Sequence, residues 1–188
     1  CFQKDILNLV YICKSLGIHE VADYWEQVII MNNHQRSRFA KNILQTLYNT
    51  VAGKKITILG WAFKKDTNDS RESAAIYVAD ILIDEEAVVY VYDPKVNANQ
   101  IKFDLNYLNS REASINKKML NVVEDPYDAS KNSHAIAILT EWDEFKTYDW
   151  EKIYASMNKP AFIFDGRNIL DKMKLEKIGF IYKAIGKH

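Results

Sequence analysis

Two hydrophobic periods divide the chain. From Asp5 to Leu16 the apolar residues Ile6, Leu9, Val10, Cys13 and Leu16 recur three or four apart, the spacing of one helix face, and Gly17 closes the pattern. From His19 to Thr50 there is neither Gly nor Pro. Val21, Tyr24, Trp25, Val28 and Ile29 make one apolar stripe, Phe39, Ile43, Leu44 and Leu47 a second, and the polar run "NNHQRSR" separates them. An uninterrupted helix here would be roughly 45 Å long at ~1.5 Å per residue. That exceeds the usual globular length and suits a bridge between domains or subunits. A break near Asn32-Asn33 is the other reading.

After Gly53 the pattern shortens. "KKITILG" (54–60) predicts a buried strand, "RESAAIYVADILIDEE" (71–86) a helix, and "AVVYVYDP" (87–94) a second strand. That is a βαβ unit with parallel strands and a right-handed crossover. Further strands are expected at 120–124, 134–139, 161–166 and 180–185, with helical segments near 126–131, 141–147 and 149–157. The alternation predicts an α/β fold with a Rossmann-like, doubly wound, mostly parallel sheet. The stretch 95–118 is polar and reads as an irregular surface excursion.

Composition narrows the class. Lys+Arg and Asp+Glu balance at 25 each, so no net field draws the chain to nucleic acid or an anionic membrane. No apolar run approaches the ~20 residues that span a bilayer, and no secretory leader pattern is present. Two cysteines, Cys1 and Cys13, do not make a disulfide framework. A reducing, cytoplasmic setting is expected. The four histidines are scattered, and no Cys/His spacing suggests a metal.

Ligands of open α/β sheets sit at the carboxyl ends of the strands. The first such turn, Gly60-Trp61-Ala62-Phe63-Lys64-Lys65-Asp66-Thr67, has one glycine where a dinucleotide fingerprint has three, so close backbone approach to a pyrophosphate is not expected. Lys64 and Lys65 are either phosphate or sugar contacts or a solvated pair, and Phe63 could cover an apolar face. Asp93 either meets a ribose or caps the turn before Pro94. Arg167, after Asp165-Gly166, is either a phosphate or carboxylate clamp or half of a surface salt bridge. Arg71 and Glu72 fall in the first turn of the predicted helix. Glu141-Trp142-Asp143 reads as a helix start, in capping or packing roles. Cys13 lies on the apolar stripe and reads as core.

The opening "CFQKD" combines a thiol before a helix, where the positive helix end lowers a thiol pKa, with a lysine able to stabilise an oxyanion and a carboxylate able to activate water. Those are the parts of covalent chemistry at an aldehyde carbon. By spacing alone, Asp5 as a helix cap and Cys1 as an ordinary loop thiol serve as well.

"CFQKD", "LGWAFKKDTNDSRES", "YDP", "TEWDEF" and "FDGRN", in this order, closely resemble the C-terminal half of the UDP-glucose dehydrogenase family over essentially the whole chain. Gln3, in place of a proline associated with bacterial members, is similar to the animal form. The resemblance implies oxidation of UDP-glucose to UDP-glucuronate with two NAD in succession, through a cysteine thiohemiacetal and thioester. It implies catalytic roles for Cys1, Lys4 and Asp5, substrate contacts for Phe63, Lys64 and Arg167, and cofactor contacts for Cys1, Phe2, Gln3, Lys4 and Arg71. It also implies a helical region over 1–52 with a long central dimerisation helix, a UDP-sugar-binding α/β domain over 53–188, and assembly of dimers into hexamers. The family's NAD-binding domain lies upstream of the cysteine, so a piece of a longer polypeptide, inactive alone, is expected. UDP-N-acetylhexosamine or GDP-mannose as the substrate, or a catalytically silent nucleotide-binding or oligomerisation module, are the alternatives.

Overall fold

The computed structural model describes residues 2–186. Two helices come first, α1 (Phe2–Ser15) and α2 (His19–Thr46). Gly17 sits at φ 73, the left-handed conformation that lets the chain reverse between them, and the Ile18 N–H closes the turn on the Cys13 carbonyl. Val10, Cys13 and Ala22 form a small core between the two helices, flanked by Ile6, Leu9 and Trp25. The Cys13 thiol is thus packed inside, as its place on the stripe predicts.

Helix α2 runs unbroken through Asn32-Asn33. Its buried line is Ala22, Ile29, Arg36, Ala40 and Ile43, one face of a helix at spacings of three, four or seven. The expected first stripe is therefore rotated: Val21 and Tyr24 point outward, and Ala22 and Ile29 carry the packing. With Leu7, Tyr11, Ile12, Ile30 and Met31, they leave an exposed apolar surface along α1 and α2.

The rest of the chain builds one sheet. In order come β1 (Lys55–Leu59), α3 (Ala74–Asp84), β2 (Val88–Tyr92), α4 (Ala98–Tyr107), α5 (Ala113–Met119), β3 (Leu120–Val122), α6 (Pro126–Ser130) and β4 (Ala135–Ile138). A 3-10 turn at Asp143–Thr147, α7 (Trp150–Ser156), β5 (Phe162–Asp165), α8 (Lys172–Ile178) and β6 (Ile181–Ala184) complete it. All five strand pairings are parallel, in the order β3-β2-β1-β4-β5-β6. That is the doubly wound order whose switch point falls between β1 and β4. Helices cover both faces, so β1 and β4 read as continuous apolar runs. The exceptions are Lys55, at the start of β1, and Thr57, whose hydroxyl lies 2.7 Å from the Ala129 carbonyl and 2.6 Å from the Ser133 hydroxyl. Ala40, Ile43, Leu47 and Val51 join the same core, which anchors the C-terminal half of α2 on the sheet.

Three expectations need correction. The 95–118 stretch is not irregular: Asn97 caps α4 by accepting from the Gln100 N–H, and Ile101 and Leu105 are fully buried beneath it. Its buried row is one residue wide, and Asn99, Lys102 and Asn106 interleave it in the sequence. The helix expected from residue 71 begins at Ala74, because the Ser73 hydroxyl caps it and Glu72 sits at φ 59. Arg71 and Glu72 thus stand outside the helix, in a turn. Finally α8, absent from the expected elements, is capped by Asp171 and buries Leu175.

Candidate functional site

The carboxyl ends of β1, β4 and β5 meet at the switch point, and the chain's own groups fill it. Gly60 has φ 95, and a Cβ there would lie 2.5 Å from Thr140 Cβ, so only glycine fits. Asp93 Oδ2 accepts from the Trp61 and Ala62 N–H groups at 2.6 and 2.9 Å and from Trp142 Nε1 at 3.1 Å. Its Oδ1 accepts from the N–H groups of Lys95 and Val96. Of the two readings for Asp93, the geometry supports turn capping, extended to bracing the first strand-end turn. The N–H groups that a phosphate would approach in a glycine-rich turn are bonded to this carboxylate.

Arg167 ties three strand ends together. Nε donates to the Leu139 carbonyl (2.8 Å), NH2 donates to the Phe63 carbonyl (2.9 Å), and Glu141 Oε2 lies 3.1 Å from Nε. Its own N–H donates to Asp165, which also accepts from Ile169 N, Leu170 N and the Tyr182 hydroxyl. The guanidinium remains about one-third exposed beside Phe63. Glu141, assigned to capping or packing, thus holds Arg167 and accepts from the Lys65 N–H (3.3 Å).

Phe63 faces a second feature, a cleft of about 570 Å³ between the start of α1 and the sheet domain. Phe2, Gln3, Lys4 and Asp5 form one side, Phe63, Asp69, Arg71, Glu72 and Tyr77 another, and Phe103, Asp104 and Tyr107 of α4 a third. Six of the residues expected in the site therefore share one cleft: Phe2, Gln3, Lys4, Asp5, Phe63 and Arg71. Lys64 and Arg167 lie outside it, joined to it through the backbone of Phe63. Lys64 is exposed and makes no hydrogen bond or ion pair among the described residues, whereas Lys65 is held by Asp143 at 2.6 Å. The expected nucleophile, Cys1, lies outside the described residues, and so does its expected cofactor contact.

Electrostatics distinguish the cleft's groups. Arg71 donates to Asp69 through Nε (2.9 Å) and NH2 (2.8 Å), and these bonds hold the Asp69 carboxyl down to about 2 against the opposing effect of burial. The pair stays ionised through the neutral range. The Arg71 side chain is still 86% exposed, so its outer face is open to an anion. Tyr77 is pushed up to about 12 by burial, then by its hydrogen bond to Glu72, and remains a neutral donor. Among the described residues, no three His, Cys, Asp or Glu side chains converge as a metal site, and no helix is long and apolar enough to cross a membrane.

Sequence reading did not anticipate Asp69, Tyr77 or the α4 aromatics in the cleft. For α4 the signal was available: Asn97 followed by Ile101, Leu105 and Leu108 is a cap ahead of a helical apolar row. Phe103 and Tyr107 stack at 6.0 Å on the opposite face.

Comparison with known proteins places this geometry. Residues 57–172 match the family model described as the UDP-glucose/GDP-mannose dehydrogenase family, UDP binding domain. The chain is 52% identical over 189 residues to UDP-glucose 6-dehydrogenase of Gallus gallus, covering all of this chain and 38% of that protein. It is 53% identical over 196 residues to UDP-glucose 6-dehydrogenase 3 of Oryza sativa subsp. japonica, covering all of this chain and 41% of that one. A UDP-glucose dehydrogenase structure from the hyperthermophilic archaeon Pyrobaculum islandicum superposes with a TM-score of 0.69 at 26% identity, over 97% of this chain and 36% of that chain. The chain therefore spans about two-fifths of the length of these curated relatives.

Proposed function

Since the chain belongs to the UDP-glucose/GDP-mannose dehydrogenase family, we propose that it is the UDP-sugar-binding part of a UDP-glucose 6-dehydrogenase, which oxidises UDP-glucose to UDP-glucuronate with NAD. One observation carries the reading: Phe2–Asp5, far from Phe63 and Arg71 in sequence, lines the same cleft. That cleft is bounded by a phosphate-competent cation, an apolar ring and a carboxylate.

The residues present fit one side of a dinucleotide. Arg71 offers an exposed guanidinium to a phosphate, and Phe2, Gln3 and Lys4 offer a wall for the nicotinamide end. NAD, when bound, accepts the hydride in each of the two oxidations. The thiol, oxyanion and water chemistry falls to residues of this chain. The Cys1 thiolate adds to the aldehyde carbon, holding it as a thiohemiacetal and then as a thioester. Lys4 stabilises the oxygen as negative charge develops on it. Asp5 takes a proton from the water that releases the carboxylate and returns the thiol. Phe63, Lys64 and Arg167 contact the substrate.

Arg167→Ala is expected to raise KM for UDP-glucose roughly 30-fold, the loss of a charge-assisted hydrogen bond to the substrate. A KM within twofold of the parent would take Arg167 out of the substrate site. The same reading has the polypeptide cytoplasmic, with UDP-glucose and its own copies as partners and without nucleic acid or membrane. The exposed apolar surface on α1 and α2 supports pairing along α2 into dimers, and dimers into hexamers.

The test of the whole reading is the yield of NADH per UDP-glucose consumed by the full-length polypeptide. Two NADH per sugar is expected. Turnover only with UDP-N-acetylhexosamine or GDP-mannose would keep the chemistry and change the substrate. No turnover with any of them would leave a silent binding or assembly module.

A further inference from the structure

Arg36 occupies the buried stripe of α2, 8% exposed, at a position where helix packing would ordinarily place an aliphatic residue. A guanidinium cannot shed its charge, so burying it requires acceptors on every side. NH2 donates to the Glu72 carbonyl at 2.7 Å, and NH1 lies 3.6 Å from Glu72 Oε2. NH1 also donates to Asn33 Oδ1 at 3.4 Å, and the Asn32 amide, turned oxygen-first, accepts from Nε and NH2 at 3.3 Å. The Tyr77 ring lies 4.2 Å below the guanidinium carbon, and the Tyr77 hydroxyl donates to Glu72 Oε2 at 2.7 Å. The polar "NNHQRSR" run thus supplies the charge and some of its acceptors. The remaining contacts converge on one residue, Glu72, and on the tyrosine that holds it.

Glu72 is in the left-handed region at φ 59, which disfavours a side chain with a Cβ. Its carbonyl precedes the capped start of α3 and is taken up by Arg36 instead of by a helical N–H. The residue immediately before it is Arg71. We infer that Arg36 is a positioning residue for the cofactor contact: by clamping Glu72 in this turn it sets the direction of Arg71 into the cleft, and so couples the long helix to dinucleotide affinity. The inference rests on the proposed role of Arg71 at NAD.

The experiment is a double-mutant cycle in the full-length polypeptide, reading KM for NAD and for UDP-glucose separately. Arg36→Met, which keeps the stem and removes the charge, is expected to raise KM for NAD roughly tenfold, a displacement effect at a binding group. KM for UDP-glucose should stay within about twofold. Tyr77→Phe removes only the hydroxyl bond to Glu72, and should move KM for NAD the same way by roughly two- to threefold. In an Arg71→Ala background neither change should raise it further, because the group being aimed is gone. Additive effects, or equal rises in both KM values, would make Arg36 a stability residue only and overturn the inference. So would an unchanged KM for NAD in Tyr77→Phe and Arg36→Met while Arg71→Ala raises it. Should Arg36→Met fail to fold, Tyr77→Phe and its cycle with Arg71→Ala decide alone. An unchanged KM for NAD in Arg71→Ala would instead overturn the cofactor role of Arg71, and the inference with it.

Discussion

Asp165→Ala is expected to destabilise the protein by roughly 4 kcal/mol, the range for removing one member of a buried charged network, and to lower Tm by about 8–16 °C for a chain of this size. Asp165 is fully buried at the end of β5. One oxygen accepts from Arg167 N at 2.9 Å, and the other from Ile169 N, Leu170 N and the Tyr182 hydroxyl, each at 2.9 Å. Truncation to a methyl group strands those donors where water has little access, and each would lose a charge-assisted bond worth about 1.5–3 kcal/mol. Relaxation of the 166–170 loop recovers part of that loss, so the sum is not reached. Asp165→Asn, which keeps one acceptor oxygen, should fall between the two. The consequence reaches the site, since Arg167 is placed by this loop. Urea or thermal unfolding checks the number. A loss below about 1 kcal/mol would mean that the carboxylate does not organise the loop.

Cys1→Ser in the full-length polypeptide is expected to reduce UDP-glucuronate formation by at least about 10³-fold, while UDP-glucose binding stays within about twofold. A serine hydroxyl is deprotonated far less than a thiol at neutral pH. Serine therefore cannot form the adduct from which the second hydride leaves. Product analysis checks this directly: the variant should yield at most one NADH per sugar, with carbon 6 retained as the aldehyde or its hydrate. Acid production at the parent rate would end the thioester role. The position lies outside the described residues, so the prediction rests on the family resemblance and on the cleft that Phe2–Asp5 line.

Much of this was written in local pattern. Strands β1, β2 and β5 are largely apolar runs closed by Gly or Asp, and β4 is wholly apolar, as a strand buried on both faces requires. The βαβ alternation led to the parallel sheet, and Gly17 marked the end of α1. Local pattern misled where a narrow buried row is interleaved with polar residues. That hid α4, whose Ile101 and Leu105 alternate with Asn99, Lys102 and Asn106. It also made "NNHQRSR" resemble a break, when those residues solvate a buried guanidinium inside the protein.

By itself, then, the sequence determined the fold class, the strand identities and the pool of candidate chemistry, because these follow from periodicity and residue type along a short stretch of chain. Tertiary structure alone decided which candidates meet. It brought Phe2–Asp5 to Phe63 and Arg71 while leaving Lys64 on the rim, and it turned Arg71 out of a helix by clamping Glu72 with a residue from α2. The reason is that a left-handed turn, a buried cation and a shared cleft each depend on groups distant in sequence, and no local propensity encodes the distance between them.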